Sequence, residues 1–261
     1  MIQSIQRAIE ILNVVATSLD TPPTLKYISE KTGLNKSTCS HIIGTLMANS
    51  LLVKISSSKG YCIGPQAYLL TKNSRYNNEL LNHTKPVMRW LNKKTNKSVT
   101  LATVVNNKKY IIDYFQEDVL IISSKNPIFE DNFYNSSTGI LLLANLSKEE
   151  IFNVYKEYGL PPSNLWPNVK SFQDLLKELN RIKKYKTFKN IIHGNGKEEA
   201  TVGFSSIIEY KTKIYGALGI TCKLNELAET PDEEKRLIHY LTIATNEVIK
   251  RISLDDCESN I

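Results

Sequence analysis

The chain has 261 residues, 41% of them hydrophobic and 23% charged, which is the balance of a globular protein with room for one large domain or two ordinary ones. No apolar run approaches the roughly 18–20 residues of a membrane span. The opening Met-Ile-Gln-Ser-Ile-Gln-Arg lacks the apolar stretch of a secretory leader, and Cys39, Cys62, Cys222 and Cys257 are too scattered for a zinc module or a disulfide framework. A cytoplasmic protein without metal or cofactor is therefore expected.

The net charge is +7, and residues 1–72 hold an excess of four cations against three in the remaining 189. A basic N-terminal module suits a polyanion such as nucleic acid, although surface lysine in a lysine-rich protein accounts for the charge equally well.

In chain order, Ile5, Ile9, Leu12 and Ala16 share one face of a helix over residues 4–18, which Thr21-Pro22-Pro23 ends. Thr24 is placed to cap a second helix over 25–32, stopped by Gly33, and Asn35 to cap a third over 36–49. Two helices joined by Gly33-Leu34-Asn35 form a helix-turn-helix pattern. Strand patterns at 51–55 and 61–64 follow, around the polar tip Ser56-Ser57-Ser58-Lys59-Gly60, and complete a winged helix-turn-helix. At 100° per residue the third helix turns Cys39, Ile42, Ile43 and Leu46 one way and Ser37, His41 and Gly44 the other, with Ser40 and Thr45 flanking. Small polar groups near a helix N-terminus suit close approach to base edges and phosphates. Gly44 costs a plain surface helix about 1 kcal/mol relative to alanine, which speaks against a merely solvated face.

Two amphipathic helical stretches then form a connector over 66–97. Beyond it the pattern becomes β-rich, with strands at 99–105 and 110–114 around Asn106-Asn107, and a further strand at 119–123. A short helix is expected at 137–144, a helix opened by the capping box Ser147-Lys148-Glu149-Glu150, and another at 171–185. Strands at 187–193, 200–210 and 214–222 follow, with a turn at Asn195-Gly196. The last helix has Thr230 as cap, Pro231 at its first position and Asp232-Glu233-Glu234 in its first turn, with Leu237, Leu241, Ala244 and Val248 as its buried stripe. The fold class is α+β, a winged helix-turn-helix (1–65), a helical linker (66–97) and an antiparallel sheet with flanking helices (98–261).

Several of these segments resemble the IclR family of bacterial transcription regulators. Residues 4–12 are similar to its opening helix, Ile28-Ser29-Glu30-Lys31-Thr32-Gly33-Leu34-Asn35-Lys36-Ser37-Thr38 to its helix-turn-helix, and Gly60-Tyr61-Cys62-Ile63-Gly64 to its wing exit. The likeness continues through Asn135-Ser136-Ser137-Thr138-Gly139 and Gly216-Ala217-Leu218-Gly219-Ile220-Thr221. The resemblance implies a winged helix that reads double-stranded operator DNA, a GAF-like domain that binds a small-molecule effector, and a homodimer or homotetramer. The chain departs from the family pattern at His41, where an arginine is usual, at Gly139-Ile140 in place of Gly-Lys, at 199–205, and at Gly219-Ile220-Thr221 in place of Ser-x-Ser.

The DNA-contact candidates are Lys36, Ser37, Thr38, Ser40, His41 and Thr45 for bases and phosphates, with Arg7 and Lys59 for phosphates. Thr38 alternatively caps its helix. The effector candidates are Ser136, Ser137, Thr138 and Gly139 at a helix start, where hydroxyls and free N–H groups suit a carboxylate but simple N-capping accounts for them as well. Thr201, Gly203, Gly219 and Thr221 either line the pocket or allow close helix packing. No GxSxG elbow, Walker loop or HExxH motif is present, so no catalytic residue is expected. The alternative function is a ligand sensor with a degenerate winged helix that acts through protein partners.

Overall fold

The computed structural model describes residues 2–18, 21–55, 60–72, 78–116, 132–192, 200–229 and 232–258. They fall into two compact units, Met1–Tyr76 and Asn77–Ile261.

The first unit contains α1 (Gln3–Thr17), α2 (Leu25–Thr32), α3 (Lys36–Ala48), the hairpin β1 (Leu52–Ile55) and β2 (Gly60–Ile63), and α4 (Pro65–Lys72). Its core is Ile11, Val15, Ile28, Cys39, Ile43, Leu46, Leu52 and Tyr61. The caps form as the sequence indicates. The Thr24 hydroxyl accepts from Tyr27 N, Gly33 closes α2 at φ +67°, and Asn35 Oδ1 accepts from Thr38 N at 2.8 Å. A Cβ on Gly33 would meet nothing, so its left-handed backbone and not a shortage of space calls for glycine there. Gly60 is different, because a Cβ there would lie 2.3 Å from Pro22 O, and the base of the wing closes onto the connection between α1 and α2.

The face of α1 differs from the expected one. Ile11 and Val15 are buried, whereas Ile5 is 55% and Ile9 47% exposed. The inward stripe is turned roughly 100° from the Ile5–Ile9–Leu12–Ala16 line at the helical angle, with Leu12 at the boundary.

The second unit contains α5 (Asn78–Thr95), β3 (Ser98–Val105), β4 (Lys108–Phe115), a short 3-10 turn (Phe133–Asn135), α6 (Ser137–Ala144), α7 (Lys148–Tyr158) and α8 (Phe172–Ile182). Then come β5 (Thr187–Ile192), β6 (Thr201–Tyr210), β7 (Lys213–Lys223), α9 (Leu224–Glu229) and α10 (Glu233–Glu258). The strands make one antiparallel sheet in the order β4-β3-β7-β6-β5.

One sheet face packs Val99, Leu101, Phe204, Leu218 and Ile220 against Met88 and Leu91 of α5 and Leu237, Leu241, Ala244 and Val248 of α10. The other carries α6, wholly buried, with α7 and α8 beyond it around Ile140, Leu141, Val154, Leu175 and Leu179. An apolar helix between a sheet and two amphipathic helices has no solvent side, which is why α6 reads as a continuous apolar run.

The Ser147–Glu150 capping box is formed, and Asn106 and Asn107 make the β3–β4 turn at φ +51° and +61°. The start of the last helix is a correction. Asp232 has φ +69°, which no helical residue adopts, so the first turn holds Glu233 and Glu234 without it. Thr230, Pro231, the expected strand 119–123 and the Asn195-Gly196 turn lie outside the described residues. The sequence reading contained neither α9 nor the 3-10 turn. Among the described helices, none is long and apolar enough to cross a membrane.

Candidate functional site

The first candidate surface is the outer face of α3. Ser29 Oγ donates to Leu34 O at 2.6 Å, tying α2 to the turn and fixing the angle at which α3 leaves it. With Cys39, Ile43 and Leu46 sealed into the core, α3 presents Lys36, Ser37, Ser40, His41, Gly44 and Thr45 to solvent. Thr38 is half-buried, and its N–H, not its hydroxyl, takes part in the cap. Thr45 Oγ1 donates to His41 O at 3.2 Å, back along the helix. A Cβ on Gly44 would meet no atom within 4 Å, so nothing inside this domain requires the glycine. Arg7 stands half-buried on α1, and Lys59 lies outside the described residues.

The second candidate is the N-terminus of α6 against the sheet. Ser136 is its N-cap, accepting from Gly139 N at 3.1 Å. Gly139 is required by the corner, because a Cβ there would lie 2.4 Å from Phe133 O. Gly203 and Gly219 serve close approach. A Cβ on Gly203 would lie 2.6 Å from Ser137 Oγ, and one on Gly219 2.6 Å from Thr138 Cγ2. The space these glycines leave is thus filled by α6 itself.

The strand registers place Ser98, Thr221, Gly203 and Asn190 side by side across four strands, on the face that α6 covers. Thr100, Gly219, Ser205 and Phe188 form the next row. Thr201 lies beside Ile192 at the start of β6.

Four polar residues escaped the sequence reading. Lys109, 2% exposed, donates from Nζ to Ser136 Oγ at 2.5 Å, and burial pushes its pKa down to about 7. Ser98 Oγ, Asn190 Nδ2 and Ser205 Oγ are buried without a hydrogen-bond partner. Strand alternation was the available signal, since each falls on an inward-facing position of its strand. Cys222 is buried and its thiol is pushed up to about 12, chiefly by desolvation, which leaves no reactive thiolate. Among the described residues no cluster of histidine, cysteine and carboxylates suits a metal.

Residues 4–55 match the IclR helix-turn-helix domain. No curated protein matches the sequence. Among solved structures, the chain is similar to an IclR homolog from Microbacterium hydrocarbonoxydans complexed with 4-hydroxybenzoate, with a TM-score of 0.76 and 15% identity over 96% of this chain and 99% of that one. It is also similar to an IclR transcriptional regulator from Alicyclobacillus acidocaldarius, with a TM-score of 0.73 and 16% identity over 96% and 99%. For the IclR protein of Thermotoga maritima the values are 0.63 and 16% over 95% and 98%. At such identities the likeness is one of fold, and it spans both units. The chain therefore carries an IclR helix-turn-helix domain at its N-terminus and has, over nearly its whole length, the fold of the IclR-family transcription regulators.

Proposed function

We propose that the protein is a DNA-binding transcription regulator whose N-terminal winged helix reads an operator and whose C-terminal domain binds a small-molecule effector. The observation that carries this reading is the outer face of α3. It is a row of small, hydroxylic and imidazole groups around an exposed glycine that no internal contact demands. Close approach of a second molecule gives that glycine a purpose, and the IclR match over the same residues supplies the class of partner.

Ser37, Ser40, His41 and Thr45 face the bases, while Lys36, Thr38, Arg7 and Lys59 serve phosphates. The working division is a DNA-binding part over 1–65, a helical connector over 66–97 and an effector-binding part over 98–261. The effector seats at the N-terminal end of α6, by Ser136–Gly139, with Thr201 and Thr221, while Gly203 and Gly219 let α6 pack closely onto the sheet. The ligand of the Microbacterium protein supports a small organic acid as the first class to test.

The active form is a homodimer or homotetramer in the cytoplasm. Ile5 and Ile9 on α1, and Tyr68, Leu69 and Leu70 on α4, are exposed apolar side chains that a second copy would cover. The protein is not an enzyme in this reading.

Selection of binding sites from random duplex DNA by the full chain tests it. A defined, pseudo-palindromic motif is expected. His41→Ala should weaken binding to that motif by about 1–3 kcal/mol and relax one position of it. No enrichment of any sequence over random duplex would overturn the assignment.

A further inference from the structure

A strand at the edge of a sheet leaves every second backbone N–H and C=O, on its outer side, without a ladder partner. β5 is such an edge, since it pairs with β6 on one side and, among the described residues, with no strand on the other. Beside it opens a cavity of about 330 Å³ lined by Asn164, Leu165, Lys189, Asn190 and Ile191. Lys189 and Ile191 turn to one face of the sheet, where Lys189 Nζ meets Glu234 of α10 and Ile191 packs on the core, and Asn190 turns to the other. What three successive strand residues with alternating side chains share is the outer edge of their backbone, so the cavity is a slot along that edge. Its far wall, in the connection between α7 and α8, spends its polar groups on itself, because Leu165 N and Trp166 N both donate to Pro162 O, at 2.9 and 3.0 Å.

Two further observations say what enters. Asn190 is 7% exposed and its Nδ2 has no partner, which leaves a buried donor in the lining of the slot. The charge around β5 is also one-sided. Residues 179–197 contain Arg181, Lys183, Lys184, Lys186, Lys189 and Lys197 and no acidic residue. Arg181 is engaged by Glu178 and Lys189 by Glu234, whereas Lys183, Lys184 and Lys186 are exposed and, among the described residues, in no ion pair. Lysine on a sheet edge hinders a second copy of the same strand from pairing there. The phosphates of duplex DNA accept hydrogen bonds but donate none to the strand's carbonyls, whereas a polypeptide backbone does both.

We propose that the outer edge of β5 is a docking site for an acidic, extended segment of a partner protein. The segment adds a strand beyond β5 in the slot facing Asn164 and Leu165, accepts a hydrogen bond from Asn190 Nδ2, and sets its carboxylates against Lys183, Lys184 and Lys186. Backbone pairing gives the affinity and the lysines select the sign of charge. The regulator reading neither requires nor supplies this surface, so the two stand or fall separately.

The test titrates the full chain with short fluorescent peptides. One alternates glutamate with valine, the second alternates lysine with valine, and the third is the acidic peptide with proline in place of valine, which lacks ladder donors. The glutamate–valine peptide should bind saturably, with an affinity that falls as salt rises, and should slow hydrogen exchange at β5 amides. The other two should bind about tenfold more weakly or worse. Lys183→Glu with Lys184→Glu and Lys186→Glu should cut affinity for the acidic peptide about tenfold and shift preference toward the lysine peptide. Asn190→Leu should cut it about fivefold, the worth of one hydrogen bond, at an unchanged or higher Tm. The lysine variant alters exposed side chains only, so it tests the proposal whether or not Asn190→Leu folds.

The proposal is overturned if the glutamate–valine peptide does not bind at about 1 mM, or if β5 amides gain no protection. Equal binding of the proline peptide also overturns it, because that is charge attraction without strand pairing. So does a lysine variant that keeps its affinity for the acidic peptide but loses affinity for DNA, which assigns those cations to phosphates.

Discussion

Lys109 is a lysine held where charge is least welcome, buried on β4 and hydrogen-bonded to the N-cap of α6. Its pKa is lowered from 10.5 to about 7 by desolvation. Between those values the unfolded chain holds a proton that the native chain has released, so this group makes stability rise with pH across the window, by at most about 1.4 kcal/mol per pH unit. Below pH 7 both states are protonated and the full cost of burial remains. Urea melts at pH 7, 8 and 9 should show that rise in the wild type relative to Lys109→Met, which lacks the titration. Equal slopes in the two proteins would show that Lys109 does not titrate there. At this scale the sequence was legible where a residue acts locally, as at Asn35, Gly33 and Ser147, whose caps depend on neighbours three or four positions away. It was not legible at Lys109, Asn190 and Ser205, because what surrounds them arrives from other strands and from α6.

Turn chemistry distinguishes two hairpins of the same sheet. The β3–β4 turn places Asn106 and Asn107 at positive φ, where short amide side chains are tolerated, whereas the β6–β7 turn forces Lys211 and Thr212 to +48° and +67°. A β-branched residue in that region is strained, by about 1 kcal/mol or more. Thr212→Gly should therefore raise stability by about 1 kcal/mol in urea melts, while the same change at Asn107 should yield less. A Thr212→Gly protein no more stable than wild type would show the turn to be relaxed. The first helix illustrates the opposite limit of local reading. Ile5, Ile9, Leu12 and Ala16 form one apolar line and Ala8, Ile11 and Val15 another, and periodicity cannot rank two stripes on one helix. Packing against Ile28 and Ile43 selects the second, which leaves Ile5 and Ile9 outside. The last helix likewise starts later than its acidic run suggests, because Asp232 has left the helical region.

For the molecule as a whole, the two parts of the chain have separate cores, one built from α1–α3 and the wing and one around the five-stranded sheet. The change from helical to alternating pattern near residue 98 is visible in the sequence because each core imposes its own period on the residues that fill it. The exposed Ile5 and Ile9 give a specific expectation for assembly. The full chain should sediment as at least a dimer at micromolar concentration, and Ile5→Asp with Ile9→Asp should weaken association and reduce affinity for a two-half-site operator far more than for a single half-site. If the doubly substituted chain keeps its oligomeric state, that stripe is not the contact.

The effector control proposed above carries a thermodynamic constraint that no arrangement of domains can evade. A ligand shifts DNA affinity only through its different affinity for the DNA-bound and free forms, typically by about 1–3 kcal/mol. Linkage then requires operator DNA to change affinity for that ligand by the same factor. For an effector found by thermal-shift screening of the full chain, titrations of operator with and without ligand, and of ligand with and without operator, should give one coupling factor between about 5 and 150. A coupling factor of one in the wild type would mean that the ligand bound at this site does not control DNA binding.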